Sequence, residues 1–458
     1  MPLRKNQIIP LSIDTLSSDG NGVGHYQGEA VFVPASAPGD ILQVRIVKDC
    51  KRYAFGIIDK ITTPSPDRLP LDCSIAGPCG GCCYRHLSYQ AECAAKEQVV
   101  ADAFARIGNF TLPVLPILPS PEADRYRNKV QFPVSKDDQG HIVTGFYANR
   151  SHRVVPCTDC KLQPTLLNQI ANNLAALLET HTIPPYDEET HSGLVRHLFL
   201  RRGTHSNQIM LCIVCNGATL PHCDTIIAAL LHKFPDIASI LLNVNTEKTN
   251  LILGKENIVL YGKSYIEDHI SGVPVQLSAL SFYQVNTLAA EQLYAVAADF
   301  ATLQSSDTLL DLYCGMGTIG LSMASQCDNL IGVEVVAEAI ESAKKNAAQM
   351  GINNARFLCA DAGKAATQLA SDGLQPDVIV IDPPRKGCDA PTLKALCTMS
   401  PRRIVMVSCN PATAARDAKY LAAHGYTLTR IQPADFFPRT KHVECVCLLE
   451  KAKELSNV

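Results

Sequence analysis

From Leu309 to Ala423 the chain takes turns between short apolar runs and helical patterns. Extended runs at Leu309–Tyr313, Leu330–Val335, Arg356–Ala360, Val378–Ile381 and Ile404–Ser408 are interleaved with helical patterns at Thr318–Ser325, Ala337–Met350 and Ala412–Ala423. A strand followed by a helix returns to its sheet by a crossover, so this rhythm specifies a doubly wound parallel sheet with helices on both faces. Ligands of such sheets sit at the carboxyl ends of the strands. An α/β fold with that sheet in the last third is the expectation.

The residues at those strand ends carry chemistry. Asp311-Leu-Tyr-Cys-Gly-Met-Gly317 fills the first strand-to-helix turn, where glycines let the backbone approach a ligand closely. It lacks the third glycine of a dinucleotide fingerprint. Gly332-Val-Glu334 ends the next strand with an acid suited to ribose hydroxyls, and Asp361 ends the third, where a carboxylate can accept from an adenine amino group. Three acids at consecutive strand ends suit adenosine on a cationic sulfonium, as in S-adenosylmethionine, better than a pyrophosphate. A nicotinamide site and plain helix caps are the competing readings.

Asp382-Pro-Pro-Arg-Lys-Gly387 follows the fourth strand, and the two prolines stiffen its exit. Ser408-Cys409-Asn410-Pro411 follows the fifth, next door in such a sheet. Cys409 therefore reads as a nucleophile at a strand mouth, with a buried core thiol as the alternative. Thr440-Lys-His442-Val-Glu444 opens a further apolar segment, and strand alternation would put His442 and Glu444 on one face. Glu444 reads as a base or as a surface carboxylate. A methyl donor, a thiol and a base fit methylation of a pyrimidine carbon. C5 of uracil is too weak a nucleophile to attack a sulfonium directly, and thiolate addition at C6 moves electron density onto C5. The C5 proton then needs an acceptor within hydrogen-bond reach.

Phe282-Tyr-Gln284-Val-Asn286, Asp311-Leu-Tyr-Cys-Gly-Met-Gly, Asp382-Pro-Pro-Arg-Lys-Gly, Ser408-Cys409-Asn410-Pro411 and His442-Val-Glu444 occur in this order. In that order they resemble the RNA uracil-5-methyltransferase family, in particular its ribosomal-RNA branch. The resemblance spans nearly the whole chain. It implies Cys409 as nucleophile and Glu444 as base, with Gln284, Tyr313, Glu334, Asp361 and Asp382 lining the cofactor and base pocket. It implies S-adenosylmethionine as methyl donor and 23S ribosomal RNA as substrate. A transfer-RNA enzyme of the same chemistry and a non-catalytic RNA-binding protein are the rivals. Arg439 stands where some members carry histidine, which puts a catalytic role for that position in doubt.

Nineteen cysteines in a chain without a recognisable export signal read as ligands, nucleophiles or small core residues rather than a disulfide framework. Cys212, Cys215, Cys445 and Cys447 sit in apolar runs and read as core. Cys73-x5-Cys79-Gly-Gly-Cys82 with Cys160 at long range suits zinc or an iron–sulfur cluster, and spacing does not separate the two. The family resemblance implies a [4Fe–4S] cluster on Cys73, Cys79, Cys82 and Cys160, with Cys157 the main rival to Cys160, and Cys83 and Cys93 further candidates.

Residues 1–62 read as a small β-barrel of the oligonucleotide-binding type: strands at Ile8–Ile13, Glu29–Pro34, Asp40–Val47 and Arg52–Ile61, broken at Asp19-Gly-Asn-Gly-Val-Gly. The resemblance makes it a TRAM domain that binds RNA. Residues 63–275 hold the cysteine segment, a helical run at Ala94–Ile107 and a mixed α+β domain. Residues 276–458 hold the Rossmann-like methyltransferase domain. The net charge of −3 argues weakly against nucleic acid, but Asp377–Cys447 is basic, and Arg196, Arg201 and Arg202 have no acid between them. No run is long and apolar enough for a membrane span. A cytoplasmic protein with RNA as partner, and no obligate protein partner, is the expectation.

Overall fold

The computed structural model describes residues 3–452. The extreme ends of the first and third expected domains, residues 1–2 and 453–458, lie outside the described residues. The expected divisions at 62/63 and 275/276 each fall inside a strand, Tyr53–Thr63 and Val273–Ser278.

In the last third, seven strands form one sheet in the order Ala355–Cys359, Asn329–Glu334, Thr308–Leu312, Val378–Ile381, Arg403–Ser408, Glu444–Lys451, Tyr426–Ala434. The first five are parallel, as their β-α rhythm requires. The last two are antiparallel to their neighbours, so the sheet is mixed rather than wholly parallel. The physical reason lies at 435–443, where a loop replaces the crossover helix; a chain that turns straight back can only pair antiparallel. Val378–Ile381 is apolar at every position because both faces of the sheet are covered. One face packs into a core with Leu310, Ile331, Ile379 and Ile404, and the other into a core with Leu309, Val380, Val405 and Phe300.

The middle of the chain forms a second seven-stranded sheet, from Glu256–Gly262 at one edge to Val154–Pro156 at the other. Helices Thr165–Thr180 and Cys223–Lys233 pack on one face. From the other, Phe199, Met210, Cys212 and Leu241 reach into the same core as Phe300 and Leu309 of the last third. Cys212, Cys215, Cys445 and Cys447 are all buried, as core thiols should be. Arg196 and Arg201 do not form a positive surface: both are buried. Arg196 donates to the carbonyls of Asn245 and Glu247, and Arg201 to that of Ser281. Carbonyls take up the terminal nitrogens of each guanidinium, while the buried Nε of both has no hydrogen-bond partner.

The amino-terminal unit is a curled six-stranded sheet. Gly22–Tyr26, expected as a break, is one of its strands. A Cβ at Gly24 would stand 2.0 Å from the Ser12 carbonyl oxygen, so this glycine marks a close strand crossing and not a turn. Helix Tyr89–Ala103 starts before the expected Ala94, capped by Ser88, whose hydroxyl accepts from the Ala91 amide at 3.2 Å.

Candidate active site

Parallel register brings the strand exits together. Leu312 pairs with Val333 on one side and Ile381 on the other, so Tyr313, Glu334 and Asp382 all emerge at one sheet edge. The turn after Leu312 is tight: Tyr313, Gly315 and Gly317 all have positive φ (66°, 54° and 76°). A side chain at Gly317 would press on Leu321, Ala343 and Phe357 at 3.1–3.2 Å, whereas one at Gly315 would meet nothing within 4 Å. The loop is therefore pinned at Gly317 and open at Gly315, where its backbone faces a cleft lined by Phe282, Gln284, Tyr313, Met316, Thr318 and Asp382.

Beneath the cleft lies Asp311. Its Oδ2 accepts from the Gly320 amide at 2.9 Å, and Oδ1 has no partner. Burial, aided by Asp382 and Glu334 and opposed by that amide, pushes its carboxyl up to about 7. Of the five residues expected around the cofactor, Gln284, Tyr313 and Asp382 line the cleft. Glu334 and Asp361 stand at the neighbouring strand ends, engaged with main-chain amides. Glu334 accepts from Gly315 at 3.2 Å and from Val335 and Val336 at 2.8 and 2.9 Å; Asp361 caps helix Ala362–Ser371 through Lys364 N at 3.1 Å.

Cys409 and Glu444 are brought opposite each other by the antiparallel pairing of strands Arg403–Ser408 and Glu444–Lys451. Ser408 is the register partner of Cys445, so the next pair outward along that ladder is Cys409 and Glu444. Burial raises the half-buried Cys409 thiol, Glu444 and Asp382 raise it further, and Arg385 opposes them. Burial likewise pushes Glu444 up to about 8 and Asp382 up to about 7. Asn410 fastens the two loops together: its Nδ2 donates to the Arg385 carbonyl at 3.0 Å while its Oδ1 caps the helix from Pro411 through Ala412 N at 3.1 Å. His442 lies before the strand, which begins at Glu444, so the alternation that would pair these two side chains does not extend to it. Its ring stands edge-on to Phe437, and burial lowers its basicity.

A buried ion cluster that sequence reading missed backs the loop that leads into Glu444. Lys96, fully buried on helix Tyr89–Ala103, donates to Glu92 at 2.7 Å, to Asp435 at 2.7 Å and to the Phe437 carbonyl at 3.1 Å. Arg439 joins it: its amide donates to Glu92 at 2.6 Å, and its guanidinium lies over Tyr89, 3.5 Å from Asp124. Residues so far apart in sequence leave no local signal.

The cysteine segment packs against the same loop, with the Cys83 and Tyr84 amides donating to the Arg439 carbonyl at 2.9 and 3.2 Å. Burial raises the thiols of Cys79 and Cys82, and both lie close enough to Cys73 and Cys160 to be raised further by them. Cys157 donates to the Cys160 sulfur, which also accepts from the amides of Leu162 and Gln163. Cys83 and Cys93 stand apart: the first lies against Gly20 of the amino-terminal sheet, the second beside Tyr89 and Asp435. Lys441 bonds Asp19 at 2.7 Å, so that sheet also touches the loop before Glu444.

Comparison with known proteins places the chain. Residues 88–452 match the family described as tRNA (uracil-5-)-methyltransferase, and residues 2–58 match the TRAM domain. An RNA methyltransferase of Halalkalibacterium halodurans, described as uncharacterized, is 41% identical over 98% of both chains. One from Oceanobacillus iheyensis is 40% identical over 100% of this chain and 99% of its own. Among solved structures, the Pyrococcus abyssi tRNA (uracil-54, C5)-methyltransferase in complex with S-adenosyl-L-homocysteine superposes with a TM-score of 0.77, at 26% identity, over 96% of this chain and all of that one. Among the described residues no helix is long and apolar enough to cross a membrane. With its Rossmann-like sheet, TRAM domain and strand-end cleft, the chain belongs to the RNA uracil-5-methyltransferase family, enzymes that methylate RNA with S-adenosylmethionine.

Proposed function

We propose that this enzyme makes 5-methyluridine in 23S ribosomal RNA through a covalent adduct on Cys409. The observation that carries the reading is the ladder that sets Cys409 across from Glu444 beside the cleft. The Cys409 thiolate adds to C6 of an extruded uracil, which makes C5 nucleophilic. S-adenosylmethionine supplies an electrophilic methyl group for C5. Glu444 then takes the C5 proton, and Cys409 leaves as C5 and C6 regain their double bond. A carboxyl pushed up to about 8 is a stronger proton acceptor than an exposed glutamate and suits this role. Gln284, Tyr313 and Asp382 would hold the cofactor in the cleft, with Glu334 and Asp361 at its adenosine end. The unpartnered Oδ1 of Asp311 and the open face of Gly315 fit such a guest.

In the same reading Cys73, Cys79, Cys82 and Cys160 hold a [4Fe–4S] cluster, which supplies a fixed tie between the cysteine segment and the central domain. The donor set fits. Among the described residues no three of these sulfurs lie within 4.8 Å of one another, whereas tetrahedral zinc with bonds of about 2.3 Å needs them roughly 3.8 Å apart. Two amides aimed at Cys160, against one at Cys157, favour Cys160 as fourth ligand, since hydrogen bonds to sulfur are a common feature of such clusters. The domains would divide the labour: 1–62 and 63–275 hold RNA, and 276–458 carries the chemistry. Phe32, Tyr53 and Phe55, whose rings lie 5.6–5.7 Å apart on the amino-terminal sheet, support base stacking there.

The Pyrococcus relative favours a second reading, a transfer-RNA substrate. Its alignment covers 96% of this chain, so the amino-terminal barrel does not itself separate the two substrates. Mapping 5-methyluridine in ribosomal and transfer RNA, with and without the gene, decides between them. Loss of the modification from 23S RNA alone is the expected result, and loss from transfer RNA alone would replace it.

A further inference from the structure

Away from the cleft and the cysteine segment, three residues distant in sequence bring metal-ligating atoms together. His205 lies in the turn between strands Val195–Arg202 and Ile209–Cys215, His269 on strand Tyr265–Ile270, and Glu291 on helix Thr287–Ala301. One ligating atom from each, two ring nitrogens and a carboxylate oxygen, all lie within 4.8 Å of one another. His205 Nε2 is 2.9 Å from Glu291 Oε1, and the two imidazoles stack with centroids 4.2 Å apart and planes 8° from parallel. We propose that His205, His269 and Glu291 form a binding site for a divalent transition-metal ion, with zinc the best chemical match.

Two imidazoles and one carboxylate are a borderline donor set that prefers zinc and its neighbours to calcium or magnesium. The recorded hydrogen bonds to the Glu291 carboxylate, from His205 and from the Ser271 amide at 2.9 Å, both fall on Oε1. Oε2 is thus free to face an ion. An ion about 2.0–2.2 Å from each donor needs donor pairs roughly 3.3 Å apart, so the set must contract and the rings must splay. The exposed ring of His269 can make that swing without disturbing the core.

The support beneath the three is already built. Asp268, buried and adjacent to His269, accepts from the amides of Thr204, His205 and Ser206 at 2.8, 3.0 and 3.1 Å, and from the Tyr283 hydroxyl at 3.1 Å. One residue therefore fixes the turn that carries His205 relative to the strand that carries His269, the kind of outer support that orients metal ligands. A simple His205–Glu291 pair accounts for only two of the three groups. An ion would tie the central sheet and the hairpin from Tyr265 to the first helix of the cofactor domain, at a place no catalytic step needs.

The test is a titration of the full-length, cluster-loaded protein with zinc chloride after exposure to a chelator, read by calorimetry, metal analysis and melting temperature. The wild type should take up one zinc more than His269→Ala or Glu291→Gln, and zinc should raise the melting temperature of the wild type alone. Because cysteines also bind zinc, Cys73→Ser serves as the second arm and should keep the histidine-dependent zinc. His269 is exposed, so its alanine variant should fold normally. Equal zinc uptake by wild type and His269→Ala, or loss of this zinc in Cys73→Ser instead, overturns the proposal.

Discussion

Lys96 and Asp435 are 339 residues apart in the chain, yet Nζ and Oδ1 stand 2.7 Å apart with no access to water. The pair joins the helix that follows the cysteine segment to the loop that leads into Glu444. Lys96→Met should leave Asp435 without its buried cation and Glu92 with Arg439 alone, and cost about 3–5 kcal/mol, measured by urea unfolding. An effect under about 1 kcal/mol would mean that the site relaxes or fills with water.

The two halves of the proposed chemistry separate by mutation. Cys409→Ala should give no methylation and no adduct, because nothing activates C5. Glu444→Gln should stall later, accumulating a methylated RNA–protein complex that migrates slowly on a denaturing gel. Removing a positioned base typically slows a reaction by about 10²–10⁴. Wild-type turnover by Glu444→Gln would release Glu444 from its role and make Asp382 the candidate.

Asp311, Asp382 and Glu444 are held near 7, 7 and 8, far above ordinary carboxyls, with burial the leading cause at each. In the unfolded chain the same groups ionise near 4, so between pH 4 and 8 unfolding releases protons and stability falls as pH rises. Activity should run the other way, because Cys409 and Glu444 both work deprotonated. Urea midpoints at pH 5.5 and 8.5 should show the decline, and Glu444→Gln should flatten it. A midpoint that rises with pH in the wild type would contradict the burial of these three.

Much of this was legible because strand exits announce themselves. Asp382-Pro-Pro and Ser408-Cys409-Asn410 combine apolar runs with abrupt polar stops, and both lie where the parallel sheet opens. What misled was local pattern without tertiary context. The glycines at 22 and 24 look like turn residues but lie in a strand, Gly24 at a close crossing over Ser12. Arg196 and Arg201 look like a phosphate surface but are buried against carbonyls, and His442 looks like part of the strand that starts only at Glu444. The Lys96 cluster had no signature at all, since a lone lysine in a helix gives no hint of a partner 339 residues away.

Protein purified without oxygen should be brown and carry iron and inorganic sulfide. Cys160→Ser should lose the colour, while Cys157→Ser should keep it, because Cys157 donates to the Cys160 sulfur and accepts from one amide where Cys160 accepts from two. Stoichiometric zinc without sulfide would replace the cluster, and the reverse pattern in the two variants would move the fourth ligand.

The antiparallel pairing of Ser408 with Cys445 also bears on the order of assembly. Cys409 and Glu444 close a segment about a tenth the length of the 339-residue one that Lys96 and Asp435 close. Loop entropy grows slowly with length, but contacts between distant segments form late in folding. A nascent chain therefore brings Cys409 and Glu444 together within one helix-and-strand unit of the last third, and the cysteine-bearing segment is clamped on afterward. The cysteine-bearing segment and the strand ends around Cys409 thus assemble separately, and Lys96 is one of the ties that join them.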